Sequence, residues 1–381
     1  MKSGWEVKKL GEMIEIRNGK NQQDVLSESG KYKIMGSAGN VMGYATDFIC
    51  EAGTTIIGRK GNISKPIYIN EPFWNVDTAF GLYPINEKNI DKRFVYYLCL
   101  GIDFKSMNRG TTIPSLVKSE LQSIEIPIPP LAEQQRIVSI LDNVFSELEQ
   151  AKENAQRNLK NAKELFESYL QGVFENKGEE WEEKKIEEVA KIVNGYSFES
   201  KDFSSKNIIK SVKITNVGVK EFIKETDNFL PEKYKESFSD FQVKEGNIVM
   251  ALTRTIIASG LKVAVVPKSY DGALLNQRVA ALIPIEKIIN QKYLYYFLCS
   301  ENVSEYVKAN VNTLMQPNLS INDLKRLMVP LPSLQEQQVI VSKLDELSAE
   351  VKKLETIYTQ KLEKLEELKK AILHKAFEGE L

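Results

Sequence analysis

One long stretch decides the fold of this chain: residues 131–174 read LAEQQRIVSILDNVFSELEQAKENAQRNLKNAKELFESYLQGVF. Apolar side chains return in it at alternating steps of three and four residues, the heptad pattern by which one α-helix packs along another. Pro129 and Pro130 set its beginning, because proline is tolerated only before a helix or in its first turn. The sequence therefore predicts a helix of about 63 Å over residues 133–174, at ~1.5 Å per residue.

The same pattern returns 203 residues further along the chain, close to the C-terminus. The preceding segments match as well, since residues 126–135 read IPIPPLAEQQ and residues 329–338 read VPLPSLQEQQ. In the second copy, Ser333 and Glu336 predict a capping box. Two such helices predict an antiparallel coiled coil within one chain, although pairing between two chains would fit the sequence too. The predicted helix-pair seam consists of Val138, Leu141, Phe145, Leu148, Lys152, Leu159, Phe166, Val341, Leu344, Val351, Glu355, Tyr358, Leu362, Leu365 and Ile372.

Charged side chains interrupt this seam, which costs stability but can set the register of the two helices. Lys152 and Glu355 stand about equally far from the beginnings of their helices. Antiparallel pairing would then bring them together near the centre. We expect either a Lys152–Glu355 ion pair or two side chains that extend to solvent.

The rest of the chain consists of two globular parts that are copies of each other. Residues 4–10 (GWEVKKL) match residues 180–186 (EWEEKKI) at an offset of 176, and the dipeptide Asn-Gly recurs at 18–19 and 194–195. At the ends of the copies the offset is 203, so the second copy carries 27 extra residues. A repeat unit of this length predicts two domains and not a solenoid.

Short apolar runs broken by Gly, Pro, Asn and Asp predict strands and turns in the first copy, among them strands at residues 54–58 and 67–69. Helices are predicted over residues 91–100 and 117–122. The predicted fold class is α+β, with two mixed α/β globular domains separated by two long antiparallel helices that form a coiled coil with pseudo-two-fold symmetry. The predicted parts are a first globular domain at 1–130, a central helix at 131–176, a second globular domain at 177–332 and a C-terminal helix at 333–381.

The bulk composition narrows the function classes. Lys and Arg (51) nearly balance Asp and Glu (52), so any contact with nucleic acid must come from local clusters of basic residues. The three cysteines, Cys50, Cys99 and Cys299, are odd in number and far apart, which suits a reducing compartment. The sequence has no apolar leader and no run of 18 apolar residues. We therefore expect a cytoplasmic protein without membrane contact.

No enzyme motif stands out in the sequence. The single histidine, His374, lies in a lysine-rich helix end and is interpreted as a solvated residue. Cys/His spacing typical of a metal site is missing, and so is a Walker A phosphate loop. The Asp/Asn-Pro-Pro-Tyr/Phe run with which adenine methyltransferases hold a flipped base is missing as well. We therefore expect no catalytic residue, no metal and no cofactor in this chain.

The order and duplication of these features resemble the specificity (S) subunits of type I restriction-modification enzymes, the HsdS family. The resemblance rests on the two Trp-to-Gly starts (residues 5–19 and 181–195), the two proline-containing helix entries and the paired long helices, and it covers essentially the whole chain. It implies that each globular domain is a target recognition domain that reads one half of a split DNA sequence. It also implies that the helices serve as a spacer and dock two methyltransferase (M) subunits, and that restriction/motor (R) subunits join the complex.

A DNA-reading module needs hydrogen-bond donors on loops, where Arg suits guanine, Asn suits adenine and Lys suits phosphates. Residues 58–65 are the richest such stretch in the first domain, and residues 253–255 follow a predicted strand in the corresponding place of the second. Each candidate could instead be an ordinary solvated loop residue. The candidate DNA-binding residues are Lys20, Ser37, Asn40, Arg59, Lys60, Asn62, Lys65, Thr253, Arg254, Asn276, Gln277 and Arg278.

The sequence leaves two other function classes open. The chain could be a coiled-coil scaffold with two protein-binding heads, or a self-sufficient enzyme, against which the missing motifs argue. The hypothesis we favour is that the chain is a non-catalytic subunit of a type I restriction-modification complex and binds double-stranded DNA. Because its two domains differ, we expect an asymmetric bipartite target, with adenine methylation carried by another chain.

Overall fold

A computed structural model describes residues 4–224, 229–311 and 318–381. Contacts between residues divide the chain into two compact units. These units are Met1–Arg157 with Tyr358–Leu381, and Asn158–Ile357.

Two helices of equal length contribute to both units. The first long helix (α4, Leu131–Glu175) and the last helix (α10, Leu334–Glu378) have 45 residues each. The hydroxyl of Ser333 accepts the Glu336 backbone N–H at 3.2 Å, which is one half of the predicted capping box. The Glu336 carboxylate accepts a hydrogen bond from the Trp181 indole at 2.9 Å. Each unit thus contains one globular part and a portion of both helices.

The globular part of the first unit contains short strands and three short helices among the described residues. In chain order they are β1 (Glu6–Lys9), α1 (Leu10–Met13), β2 (Ile14–Asn18), β3 (Tyr32–Met35), β4 (Val41–Ala45), β5 (Thr54–Gly58), β6 (Ile67–Ile69), β7 (Phe73–Asn75), β8 (Ala79–Pro84), α2 (Lys92–Gly101), α3 (Lys118–Gln122) and β9 (Glu125–Ile128).

A four-stranded antiparallel sheet, β2-β8-β5-β6, forms the centre of this domain. Strand β5 is buried along its whole length, as its run of Thr and Ile predicts. Helix α2 is capped by Asp91, whose carboxylate accepts the N–H groups of Arg93 and Phe94, and Phe94 is fully buried in the core. A second sheet, β4-β3-β7, contains the parallel pair β3 and β7.

The globular part of the second unit is built on the same plan. Its elements are β10 (Glu182–Lys185), α5 (Ile186–Val189), β11 (Ala190–Asn194), β12 (Ser211–Val212), α6 (Tyr234–Ser237), β13 (Ile248–Ala251), β14 (Ile256–Ile257), β15 (Gly260–Leu261), β16 (Val263–Val265), β17 (Leu274–Leu275), β18 (Val279–Pro284), α7 (Gln291–Leu298), α8 (Glu301–Asn310), α9 (Ile321–Lys325) and β19 (Met328–Leu331), with 3₁₀ turns at Ser200–Asp202, Ser239–Phe241 and Lys268–Tyr270.

The duplication extends to the pairing of single residues. Glu6 of β1 lies opposite Ile128 of β9, and Glu182 of β10 lies opposite Leu331 of β19. Glu6 and Glu182 are 176 residues apart, and Ile128 and Leu331 are 203 residues apart. These are the two offsets of the sequence repeat. The central sheet of the second unit, β11-β18-β13-β16, has the strand order of β2-β8-β5-β6. The predicted α+β class and the internal repeat are confirmed.

Each globular part is fixed to the helix that follows it by an equivalent pair of side chains. The Tyr97 hydroxyl donates a hydrogen bond to the Asp142 carboxylate, and the Tyr296 hydroxyl donates one of 2.7 Å to Asp345. Burial, and then this hydrogen bond, raises the pKa of both tyrosines. The hydroxyls therefore stay protonated, as donors, at neutral pH.

The two long helices lie antiparallel within the first unit. Arg136, near the beginning of the first long helix, donates a hydrogen bond of 2.6 Å to the Leu381 carbonyl group at the end of the chain. Further along, the Lys152 Nζ lies 2.7 Å from the Glu366 carboxylate. Residue numbers thus rise on one helix as they fall on the other.

The same direction holds within the second unit. The Lys163 Nζ lies 3.4 Å from Glu355. Trp181, which follows the end of the first long helix, contacts Glu336 at the beginning of the last helix. Both units therefore contain antiparallel helix pairs, as the seam predicts.

The expected ion pair between Lys152 and Glu355 is wrong. Lys152 pairs with Glu366, and Glu355 pairs with Lys163. Glu366 lies 11 residues beyond Glu355, which is about 16 Å of helix and more than the lean of a side chain can cover. Within the first unit the two helices are therefore staggered, so that equal distance from the helix starts does not place two residues at the same level.

Side chains at the predicted seam positions are buried or half-buried. Leu141 and Leu344 are fully buried, and Val341 and Val351 are 3% and 8% exposed. Near the end of the first long helix the burial moves from the heptad position Tyr169 to its neighbour Leu170. An ideal helix drifts by about 20° per heptad, which explains this shift. The half-buried seam residues are Val138, Phe145, Leu148, Lys152, Leu159, Phe166, Glu355, Tyr358, Leu362, Leu365 and Ile372.

In the part of the chain that the structure describes, no helix is long and apolar enough to cross a membrane. The same residues hold no group of three or more His, Cys, Asp or Glu side chains that could bind a metal ion. Burial raises the pKa of the free thiols Cys50, Cys99 and Cys299 to about 12, which leaves them unreactive at neutral pH.

Candidate nucleic-acid interface

The first domain has a surface where β2 and β5 end and β8 begins, which we call strand-end surface 1. Three backbone hydrogen bonds hold it together. Gly19 N–H donates to Ala79 O at 3.0 Å, Lys20 N–H to Asn75 O at 2.9 Å, and Arg59 N–H to Thr78 O at 2.8 Å. These bonds fix two predicted DNA-binding candidates, Lys20 and Arg59, and a fourth bond, from Lys60 N–H to Thr78 O at 3.1 Å, fixes a third.

Arg59 is held more firmly than its neighbours. Its guanidinium lies 3.4 Å from the Asp77 carbonyl oxygen and 6.0 Å from the centroid of the Phe80 ring. Lys60 is exposed, and its backbone pairs with Ser115. Gly61 follows with φ +81°, a conformation that glycine adopts without strain. The chain therefore turns sharply here and presents the side chain of Lys60 to solvent.

Asn62 closes this turn against Gly58. A Cβ atom at Gly58 would stand 2.0 Å from the Asn62 carbonyl oxygen, so only glycine fits. Asn62 is half-buried, and Lys65, two residues before β6, is exposed. Both candidates thus lie on the loop that leaves strand-end surface 1.

Ser37 and Asn40 lie on the hairpin between β3 and β4. Gly36 N–H donates to Asn40 O at 2.9 Å, which closes the hairpin. Val76 N–H donates to Met35 O at 3.3 Å, which joins the base of the hairpin to the segment before β8. Ser37 is half-buried and Asn40 is exposed. The hairpin therefore extends strand-end surface 1.

The second domain has the equivalent surface, strand-end surface 2, where β11 and β13 end and β18 begins. Gly195 N–H donates to Val279 O at 3.0 Å, and Leu252 N–H donates to Arg278 O at 2.7 Å. Gln277 N–H donates to the carbonyl oxygen of Tyr196, which follows β11. The structure thus brings the five second-domain candidates together: Thr253, Arg254, Asn276, Gln277 and Arg278.

The hydrogen bonds define which positions of the two surfaces correspond. Thr253 forms a β-bridge with Asn318, and Lys60 forms the equivalent β-bridge with Ser115. Asn318 and Ser115 are themselves equivalent, because they are separated by the repeat offset of 203 residues. One residue further on, Arg254 therefore occupies the position of Gly61. The sequence analysis compared residues 253–255 with residues 58–65 only as loops, and the hydrogen bonds now align their individual residues.

The candidates of the second domain differ in accessibility. Arg254, Gln277 and Arg278 are exposed and Asn276 is half-buried. Thr253 is only 7% exposed, which leaves its side chain little contact with a ligand.

Tyr196 is a residue on strand-end surface 2 that the sequence interpretation missed. It is 41% exposed, accepts the Gln277 N–H at 2.8 Å and packs on Phe238 with ring centroids 4.6 Å apart. The sequence repeat could have identified it, because Tyr196 follows the second Asn-Gly dipeptide as the candidate Lys20 follows the first. Exposed aromatic rings can stack on bases.

Strand-end surface 2 concentrates positive charge. Burial, and then the charge of Arg254, lowers the pKa of Lys262. The Lys262 ammonium group donates a hydrogen bond of 2.7 Å to the Ile214 carbonyl oxygen. A second cation thus stands near Arg254, an arrangement that favours a bound anion.

The fold and these two surfaces define a class: an α+β protein with duplicated domains and two long helices. The profile of the type I restriction modification DNA specificity domain matches residues 2–156 and 178–367. The chain belongs to the family of type I restriction-modification specificity subunits, which are non-catalytic components of those complexes.

Individual relatives agree with this membership. The MjaVIII specificity subunit of Methanocaldococcus jannaschii is 30% identical, with 99% of this chain and 93% of that protein covered. The EcoBI specificity subunit of Escherichia coli is 25% identical, with 86% and 73% covered.

Solved structures share the fold. A chain from a study of complex assembly and conformational transition of the type I R-M system has a TM-score of 0.78 at 18% identity, with 100% of this chain and 99% of that chain covered. The HsdS subunit of Thermoanaerobacter tengcongensis has a TM-score of 0.59 at 19% identity, with 100% and 98% covered.

Proposed function

We propose that this chain selects the DNA target of a type I restriction-modification complex, and that the target is bipartite and asymmetric. The first globular domain (1–130) and the second (177–332) act as target recognition domains, one for each half-site. The central helix (131–176) and the C-terminal helix (333–381) act as spacers between them. Two tethered modules bind with a high effective concentration, so a chain of nearly neutral charge needs no strong binding by either module.

The duplicated strand-end surface is the observation that carries this proposal. Equivalent hydrogen bonds build the same backbone platform in both domains, and the side chains on it differ: Tyr196 replaces Lys20, and Arg254 replaces Gly61. A common platform with different donors is expected to bind two different sequences in the same manner. An asymmetric target follows from that difference.

We also propose that two methyltransferase subunits dock on the long helices, and that restriction/motor subunits join through the complex. The support is family membership together with the exposed side chains along both helices, among them Leu165 and Ile357, which are 60% and 47% exposed. Much of the phosphate neutralisation would come from these partners, because this chain carries a net charge of −1.

Selection from a random duplex pool tests the target. The chain is assembled with its methyltransferase partner, bound duplexes are recovered and sequenced, and adenine methylation in the host genome is mapped in parallel. We expect one split motif with two unlike halves in both experiments. Recovery of no split motif would reject the proposal and favour the scaffold with two protein-binding heads.

A further inference from the structure

The two arginines of strand-end surface 2 differ from the other arginines of the chain. The sequence has nine arginines. Seven of them have a hydrogen-bond acceptor within the described residues: Arg17, Arg59, Arg93, Arg109, Arg136, Arg157 and Arg326. Arg254 and Arg278 have none among the residues that the structure describes, and both are exposed.

The same two arginines have a backbone conformation that is unfavourable for their residue type. Three described non-glycine residues have a positive φ: Lys220 at 60°, Arg254 at 48° and Arg278 at 69°. Strain of this kind persists where the surroundings enforce it, and it gathers at functional sites. The Lys220 side chain is tied to Glu167 at 2.6 Å, a structural contact. Among the described residues, no ion pair or side-chain hydrogen bond accounts for the two arginines in this way.

The local turn accounts for the positive φ of Arg278. Val279 N–H donates to Asn276 O at 3.3 Å, so Gln277 and Arg278 are the central residues of a β-turn. A positive φ at the second central position is typical of a type II turn, which favours glycine there. Arg278 is exposed in this turn, and its guanidinium has no hydrogen-bond acceptor among the described residues.

The backbones of Arg254 and Arg278 lie close together. Leu252 N–H is bonded to Arg278 O, and Arg254 lies two residues beyond Leu252. Two residues of extended chain span at most about 7 Å. Base-pair steps measure ~3.4 Å, so the two arginines start from backbone positions that lie within the length of one half-site.

Resting on the proposed function, we infer that Arg254 and Arg278 are the base-reading residues of the second domain, and that its half-site contains guanines that they contact in the major groove. A free, planar guanidinium with several donors matches the O6 and N7 acceptors of guanine. A phosphate contact would need only positive charge, which Lys262 already supplies nearby. The first domain has Gly61 in place of Arg254, so its half-site is read by other residues.

Glycine substitution separates recognition from folding. Glycine adopts a positive φ freely, so Arg254→Gly and Arg278→Gly remove the guanidinium and relieve the backbone strain together. We expect both variants to have an unchanged or higher melting temperature. Each should lose guanine preference at one or two positions of one half-site by roughly five- to 150-fold, and the other half-site should stay unchanged.

Two further variants distinguish a base contact from a phosphate contact. Arg254→Lys keeps the charge but not the planar fork, and we expect it to restore affinity without restoring guanine preference. Arg326→Ala is the matched control, since Arg326 lies in the same domain and is tied to Asp323. It should leave the selected motif unchanged.

The experiment uses the full chain with its methyltransferase partner and duplex selection for every variant. A wild-type complex that selects no split motif would reject the proposed function and this inference together. A wild type that selects a split motif, with both glycine variants selecting the same motif, rejects this inference alone. Equal weakening on all sequences, with a smaller salt dependence, would identify phosphate contacts and also reject it.

Discussion

The side-chain carbonyl oxygen of Gln134 accepts a hydrogen bond of 2.9 Å from the backbone N–H of Asp91. The Gln134 amide group donates to the carbonyl oxygens of Asn89 and Pro129, each at 2.9 Å. Gln134 is fully buried. One side chain thus satisfies three backbone groups and joins the beginning of helix α2 to the beginning of the first long helix.

The second unit repeats this arrangement with Gln337. Its side-chain oxygen accepts the Asn290 N–H at 2.7 Å, and its amide group donates to Ile288 O at 3.2 Å and Pro332 O at 2.9 Å. Gln337 is also fully buried. The duplicated glutamines therefore fix the angle at which each globular part meets its helix.

We expect Gln134→Ala to lower the free energy of unfolding by about 2–4 kcal/mol, because it leaves three buried backbone groups without partners. Urea unfolding of the full chain measures the change. Gln135→Ala is the control, since Gln135 is exposed on the next position of the same helix. Equal stability of the two variants would show that the buried hydrogen bonds contribute nothing.

The raised pKa of Tyr296 predicts how the free energy of unfolding changes at alkaline pH. Burial, and then the hydrogen bond to Asp345, raises its pKa above the ordinary value of 10.0. The folded state therefore holds the proton more tightly than the unfolded state, and this contribution is complete below pH 10 and is lost as the pH rises above it. The free energy of unfolding should fall above pH 10.

Tyr296→Phe isolates this effect. The variant should be less stable than the wild type by about 1 kcal/mol at neutral pH, because it loses one hydrogen bond. Its stability should also fall less steeply above pH 10. Chemical unfolding at a series of pH values measures both quantities, and parallel curves for the two proteins would contradict the assignment.

The ion pair between Lys152 and Glu366 predicts that exchanging the two charges preserves most of the stability. The hydrogen bond from Lys152 is the main cause that lowers the pKa of Glu366. Lys152→Glu should destabilise the chain by about 0.5–1 kcal/mol, a modest effect because both side chains are partly exposed. The double variant with Glu366→Lys should recover most of the loss.

A double-mutant cycle in low salt measures the coupling between these two residues, and the coupling should shrink in high salt. Lys152→Glu combined with Glu355→Lys is the control, because Glu355 contacts Lys163 instead. Recovery in that control, and not with Glu366→Lys, would reject the register of the helix pair.

Much of the fold could be predicted because its signals are local or repeated. The strands predicted at residues 54–58 and 67–69 are observed at those bounds, since runs of β-branched residues between turns are unambiguous. Helix α2 was predictable from its capping residue Asp91.

The candidate interface was less predictable, because it depends on contacts between distant residues. The sequence identified Arg254 as a candidate and matched its loop only roughly to residues 58–65, and the hydrogen bonds to residues 78 and 278 are needed to align the individual residues. Tyr196 was missed because an aromatic residue after a strand usually enters the core. Lys152 was paired wrongly because heptad counting gives the seam positions on each helix but not the stagger between the two helices.

Under the proposed function, the length of the two helices should set the gap between the two half-sites. Four residues added to each helix, after Arg157 and after Ile357, where the two units meet in the sequence, add about 6 Å of helix. This corresponds to about two base-pair steps of ~3.4 Å. Selection from a duplex pool should then return both half-sites unchanged, with the gap widened by about two base pairs.

The same insertion in only one helix is the control, because it shifts the seam out of register and should weaken selection of the whole target. Changed half-sites with an unchanged gap would show that the helices do not set the spacing. A widened gap with unchanged halves would separate the two roles of the chain, since the strand-end surfaces would then determine the sequence and the helices the distance.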